Sequence, residues 1–180
     1  MAVTTTTGFT VEDLDAMPDD GHRYELIGGA IVMTPAAVPM HQRVLLRLAF
    51  ALAPVLPNGH ELFVAPIGLD LPDGQRVESD LVIAPVSSVG PRRLTLPVLL
   101  VVEIVSGGSV THDRVTKREA YAVAGIPRYW LVDLPANTIM CLRLGDDGAY
   151  DTYTDGARIE VESPVAVSLS LAELTAGPTA

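Results

Sequence analysis

Lysine is almost absent from this chain. Of twelve basic side chains eleven are arginine, and the one lysine is Lys117, in THDRVTKREAY (111–121). Cysteine is equally scarce. With Cys141 alone, no internal disulfide can form and no cysteine-rich zinc site exists. The four histidines (22, 41, 60 and 112) include no i, i+4 ligand pair, which argues against zinc. No apolar run is long enough to span a membrane. The longest, VLLRLAFALAPVL (44–56), contains Arg47 and Pro54 and falls short of about 18 residues. The N-terminus MAVTTTTGFT has neither a basic nor an apolar signal region, so a soluble, cytoplasmic protein is expected. Positive charge is also in deficit, at a net −10. Bulk charge therefore argues against tight non-specific binding to nucleic acid, and any such role must rest on local arginines, a metal ion or a partner chain.

What is present is a pattern of buried elements. At 180 residues with 48% hydrophobic and 19% charged content, one globular domain over 1–180 is expected, with its ordered core over about 9–174. Thr10 begins a Thr-x-x-Asp cap for a short helix. RYELIGGAIVMTP (23–35) reads as strand, Gly28-Gly29 turn and strand. Val44, Leu45, Leu48 and Leu52 recur at helical spacing over 39–54. ELFVAPIGLDL and RVESDLVIAP are two strands joined at Pro72-Asp73-Gly74. PVLLVVEIV (97–105) is apolar enough for a strand buried on both faces. A helix over 110–124 follows, ended by Gly125 and Pro127. RYWLVD (128–133) is then a strand parallel to 97–105. TIMCLRL, AYDTYT and RIEVE form a C-terminal antiparallel meander, with a last helix near 170–174. The fold class is α/β (α+β), a mixed sheet flanked by helices.

Three residues stand out chemically. Glu103 lies inside VLLVVEIV, where an ionised carboxylate costs several kcal/mol (roughly) unless it is paired or bound to a metal. The plainer alternative is a solvated residue at a strand end. Asp80 opens LVIAP on a neighbouring strand, a common place for a solvated acid. Together they are two converging carboxylates, a set suited to Mg²⁺. Lys117 lies on the helix after Glu103, four residues beyond Asp113. An i, i+4 surface ion pair would explain it, but arginine serves that purpose everywhere else in this chain. A catalytic ammonium needs lysine's compact charge.

YELIGGAIVMTP…HQRV, SDLVI and LLVVEIVSGGS…DRVTKREAYAVAGIPRYWLVD resemble the bacterial "putative restriction endonuclease" group of the PD-(D/E)XK nuclease superfamily, over residues 9 to 174. The resemblance implies a restriction-endonuclease-like fold, Mg²⁺ or Mn²⁺ held by Asp80 and Glu103, and a catalytic lysine. That lysine usually sits two residues beyond the acid, where this chain has Val105, and in this group it moves to the next helix, matching Lys117. Ser79 replaces the motif's proline, and SGGS (106–109) replaces the usual SPS. Glu25 matches an auxiliary ligand and His41 the histidine opening the first long helix, though either also suits a structural role.

These readings imply a metal-dependent endonuclease acting on DNA, with Asp80, Glu103 and Lys117 catalytic and Asp113 orienting the lysine. Arg92, Arg93, Arg114 and Arg118 are candidate phosphate contacts, though ordinary surface arginine is the preferred reading for any one of them. A homodimer is expected for action on duplex DNA. Two rivals remain: a nuclease fold kept as a binding or scaffolding module, and a two-carboxylate glycosidase with Trp130 for sugar stacking.

Overall fold

A computed structural model describes residues 8–20, 22–34, 37–105 and 112–177, without the side chains of Thr34, Asp73 and 112–114. Helix α1 (Val11–Asp15) starts at Thr10 through a full capping box with Asp13. The hairpin β1 (Arg23–Ile27) and β2 (Ala30–Thr34) turns at Gly28 and Gly29, both at positive φ, where a side chain would be strained. Helix α2 (Pro39–Leu52) buries Val44, Leu45, Leu48 and Leu52 on one face. Strands β3 (His60–Asp70) and β4 (Arg76–Pro85) pair antiparallel. Strand β5 (Leu100–Val105) is buried along its whole length, three residues shorter at its start than the apolar run suggests. Pro97 begins that run and has no N–H to give a ladder.

The crossover from β5 ends in a π-helical segment, His112–Lys117, that continues into α3 (Arg118–Val123). It returns the chain to β6 (Arg128–Asp133), parallel to β5 as expected. Strands β7 (Thr138–Leu144) and β8 (Tyr150–Gly156) extend the sheet antiparallel. Among the described residues the main sheet has eight strands, ordered β2-β1-β4-β5-β6-β7-β8, with β3 also on β4.

The meander departs from expectation at its end. Strand β9 (Arg158–Val161) leaves the main sheet and pairs with β10 (Val167–Ser170), a strand the sequence pattern did not reveal. Ile159, Val161 and Leu169 bury against the α2 side of the sheet, so this hairpin completes a core rather than an edge. Helix α4 (Leu171–Thr175) closes the same layer. Arg47 of α2 donates to the α4 carbonyls of Glu173 and Leu174, groups that a helix end leaves without partners.

Two cores result. Leu81, Ile83, Leu100, Val102 and Ile104 face α2 and α4. Val77, Val82, Ala84, Val101, Val105 and Tyr121 fill the α3 side. On β4 the face that meets α3 changes from odd residues (Val77) to even ones (Val82, Ala84), so the alternation slips by one near Asp80. Opposite that point β3 carries a bulge. The register passes from Val64↔Leu81 to Ile67↔Ser79, leaving Ala65 and Pro66 facing Asp80 alone. Bulges of this kind re-aim side chains.

Candidate active site

Strand β4 has two edges. Strand β3 takes one along nearly its full length. Strands β1 and β5 therefore share the other, β1 at Arg76 and β5 at Leu81–Ile83. Between them, residues 77–80 meet a break in the ladder. The last β4–β5 pair is Leu81↔Val102, so the next residues outward are Asp80 and Glu103.

Charged side chains fill this break. The backbone N–H of Glu78 donates to Glu25 Oε1 at 2.6 Å. The backbone carbonyl of Glu78 accepts from Lys117 Nζ at 2.7 Å. The backbone N–H of Ile104 donates to Asp80 Oδ2 at 2.8 Å. Backbone groups in a buried sheet need partners, and here carboxylates and an ammonium supply them.

Lys117 is the centre of the arrangement. Its Nζ lies 2.9 Å from Glu25 Oε1 and 3.3 Å from Glu103 Oε1. It is 4% exposed, so the surface ion-pair alternative does not describe it. Glu103 is also buried, at 2%, which removes the solvated-strand-end alternative for that residue. The π-helical turn ends at Lys117 and sets where its side chain enters; such turns recur at functional sites. Val105, at the usual lysine position of the wider superfamily, is fully buried in the apolar α3-side core. An ammonium there would meet hydrocarbon.

Asp80 is held from the opposite side of the sheet. His41 on α2 places Nε2 3.0 Å from Asp80 Oδ2. Its Nδ1 is buried with no hydrogen-bond partner among the described residues. Nε2 is the ring nitrogen that faces the carboxylate, so a proton carried there is donated to Asp80. Both contacts described for Asp80 fall on Oδ2, which orients the carboxylate.

Two participants were not singled out in the sequence. Tyr121 donates its O–H to Glu103 Oε1 at 2.6 Å and lies 2.9 Å from Ser79 Oγ. Burial, with the nearby Glu103 charge, holds its phenol pKa well above 10. Its signal was present: Tyr121 is four residues after Lys117, hence on the same helical face. The other is the backbone of Glu78. Its side chain points elsewhere, and its carboxyl pKa is raised by burial, partly offset by Arg23.

The Asp113 side chain and the SGGS loop lie outside the described residues. The contacts seen on Lys117 come from Glu25, Glu78 and Glu103. Arg118 donates to the carbonyl of Tyr150 at 2.6 Å. Arg92 and Arg93 line a cleft of about 340 Å³ with Tyr24, Arg76 and Glu78. Arg93 and Arg76 both pair there with Asp15, and Arg92 is exposed. Trp130 is fully buried and offers no face for a sugar.

The donor set fits a divalent cation in kind. Glu25, Asp80 and Glu103 are buried carboxylates balanced in the break by one ammonium, and hard carboxylate oxygens are what Mg²⁺ and Mn²⁺ prefer. Among the described residues no three His, Cys, Asp or Glu side chains form a cage on their own. Asp80 and Glu103 are the acids that follow the last β4–β5 pair, and Mg²⁺ commonly takes only one or two carboxylates, with water and substrate completing its shell.

The family described as "Putative restriction endonuclease" (Uma2) matches residues 11–174. Among solved structures, one titled as a putative nuclease belonging to DUF820, from Anabaena variabilis ATCC 29413, has a similar fold. The TM-score is 0.69 over 93% of this chain and 97% of that one, at 15% identity. No curated protein matches. The mixed sheet flanked by helices was expected from the sequence pattern, and its restriction-endonuclease-like character from the family resemblance.

Proposed function

The chain belongs to the "putative restriction endonuclease" family, and on that premise we propose that it is a Mg²⁺- or Mn²⁺-dependent endonuclease that hydrolyses DNA phosphodiester bonds. One observation carries the reading. The only lysine is buried between Glu25 and Glu103, in the same ladder break that holds Asp80. A stability-driven core does not gather three carboxylates and an ammonium, because apolar packing of equal volume is usually at least as stable.

In this reading Asp80 and Glu103 hold the cation. When bound, it would polarise the phosphate and acidify a water. The chain's own groups do the rest. Lys117 presents a fixed ammonium to the charge that develops on the phosphoryl oxygens. Glu25 and the Glu78 carbonyl aim that ammonium, so little reorganisation is needed at reaction. His41 and the Ile104 N–H fix the Asp80 carboxylate. Arg92, exposed in the cleft that starts at Glu78, is the arginine there best placed to meet a flanking phosphate, since Arg93 pairs with Asp15. A two-fold dimer would suit a duplex substrate, and sedimentation would read it.

The second reading is a binding or scaffolding module without cleavage. The overall charge favours it, as does the engagement of Glu103 Oε1 by two donors. Supercoiled plasmid with Mn²⁺ or Mg²⁺ separates the two. The wild type is expected to nick it, and Lys117→Ala and Asp80→Ala are not. Equal nicking by all three would mean contamination and end the nuclease reading. Metal uptake in calorimetry with no cleavage would favour the module.

A further inference from the structure

Beyond Leu81↔Val102 no backbone–backbone pair joins the two carboxylate strands among the described residues, and side chains bridge them instead. From the α3 side one chain of hydroxyls crosses that gap. Ser79 Oγ, next to Asp80 on β4, lies 2.9 Å from Tyr121 Oη. Tyr121 Oη lies 2.6 Å from Glu103 Oε1 on β5. We propose that Ser79 and Tyr121 form a directed hydrogen-bond relay, Ser79→Tyr121→Glu103, and that Tyr121 is the positioning residue that holds Glu103 ready as a cation ligand.

The direction follows from donor counting. An ionised carboxylate only accepts, so the single phenolic proton goes to Glu103. The phenol oxygen is then an acceptor, and the Ser79 hydroxyl proton fills it. A donor that is itself receiving a hydrogen bond is a stronger donor, which suits the short 2.6 Å contact.

The ring is fixed by its surroundings rather than by the relay. Tyr121 is fully buried and tilts against Tyr129, with centroids 5.3 Å apart. Tyr129 tilts in turn against Tyr150, whose O–H is anchored on the Ile126 carbonyl at 2.7 Å. Removing the hydroxyl therefore leaves the packing in place. The relay also gives Ser79 a purpose. A proline at this position would carry no hydroxyl, and Tyr121 would lack its donor.

This inference rests on the proposed cation site, and its test is read without DNA, so it can fail or stand independently of cleavage. Mn²⁺ is titrated calorimetrically into the full chain and into Tyr121→Phe, Ser79→Ala and the double variant. Ligand-orienting groups of this kind typically change metal affinity by about 10–100-fold. Tyr121→Phe is expected to weaken Mn²⁺ about tenfold, and Ser79→Ala less. The double variant should match Tyr121→Phe alone, because Ser79 acts only through Tyr121. Unchanged affinity in Tyr121→Phe, or a full additional loss from Ser79→Ala in the double variant, would overturn the relay. If the wild type takes up no Mn²⁺, the ligand role is lost. The same four proteins unfolded in urea then judge the relay itself, where additive midpoint shifts would overturn it and non-additive ones support it.

Discussion

Asp80 Oδ2 accepts the backbone N–H of Ile104 at 2.8 Å. In an unbroken ladder that N–H would find a carbonyl on β4. A side chain has taken the place of the backbone, and the acid that would carry chemistry is also a structural element of the sheet. Function and stability are therefore coupled at this position, and substitutions there can separate them.

Asp80→Asn keeps an acceptor oxygen for Ile104, while Asp80→Ala strands a buried N–H. The alanine variant is expected to lose about 1–3 kcal/mol in urea unfolding, and the asparagine variant distinctly less. Both should lose cleavage. Equal stability of Asp80→Ala and wild type would mean that water or a shifted strand replaces the carboxylate.

Lys117→Arg tests the lone lysine. Nζ has acceptors at 2.7, 2.9 and 3.3 Å and Lys117 is buried, whereas a guanidinium is larger and planar. Cleavage should fall about 100-fold or more, the usual cost of one oriented charge-stabilising donor. Lys117→Met leaves its buried acids without their ammonium and should cost about 3–5 kcal/mol. Plasmid nicking and urea unfolding read the two effects. Wild-type nicking by Lys117→Arg would reduce the lysine to a buried structural pair.

Glu25→Gln retains an oxygen for the Glu78 N–H but removes one negative charge beside Lys117. Stability should change less than in Glu25→Ala, while cleavage drops because a neutral amide oxygen holds the ammonium less tightly than a carboxylate. The comparison fails if both variants cleave like wild type.

Alkaline pH should destabilise the fold from about pH 9 upward. Burial pushes the Cys141 thiol from 9.0 up to about 12 and the Tyr153 phenol from 10.0 up to about 12. Between those values the unfolded chain has released protons that the folded chain still holds. Stability is then full below pH 9 and falls as pH rises toward 12, by up to about 1.4 kcal/mol per pH unit for the buried Cys141 and by less for the half-exposed Tyr153, where solvent screens the shift. Urea midpoints across pH 8–11 check the slope, and Cys141→Ala should flatten its first part, between pH 9 and 10.

Much of this arrangement could be read along the chain. Turn residues, apolar runs and helical spacing placed β1 to β8, α2 and the parallel β5–β6 pair, most plainly where an element buries its own apolar residues, as α2, β5 and β6 do. Glu103 declared itself as an acid within an apolar run, and Lys117 as the exception to an arginine habit. The β9–β10 hairpin did not declare itself. Its four-residue strands bury only short alternating faces, and their partner is set by a distant core.

The chain by itself thus determined that Glu103 lies within an apolar run, where burial would require a charge partner. Only the tertiary structure decided who the partners are. Sequence spacing favours neighbours such as Asp113, because i, i+4 contacts are local. Glu25, the Glu78 carbonyl and Tyr121 come from three different elements. They meet because β1 and β5 share one edge of β4 and leave a gap between them. A broken hydrogen-bond ladder has no signature in a linear pattern, since it depends on which strands lie side by side.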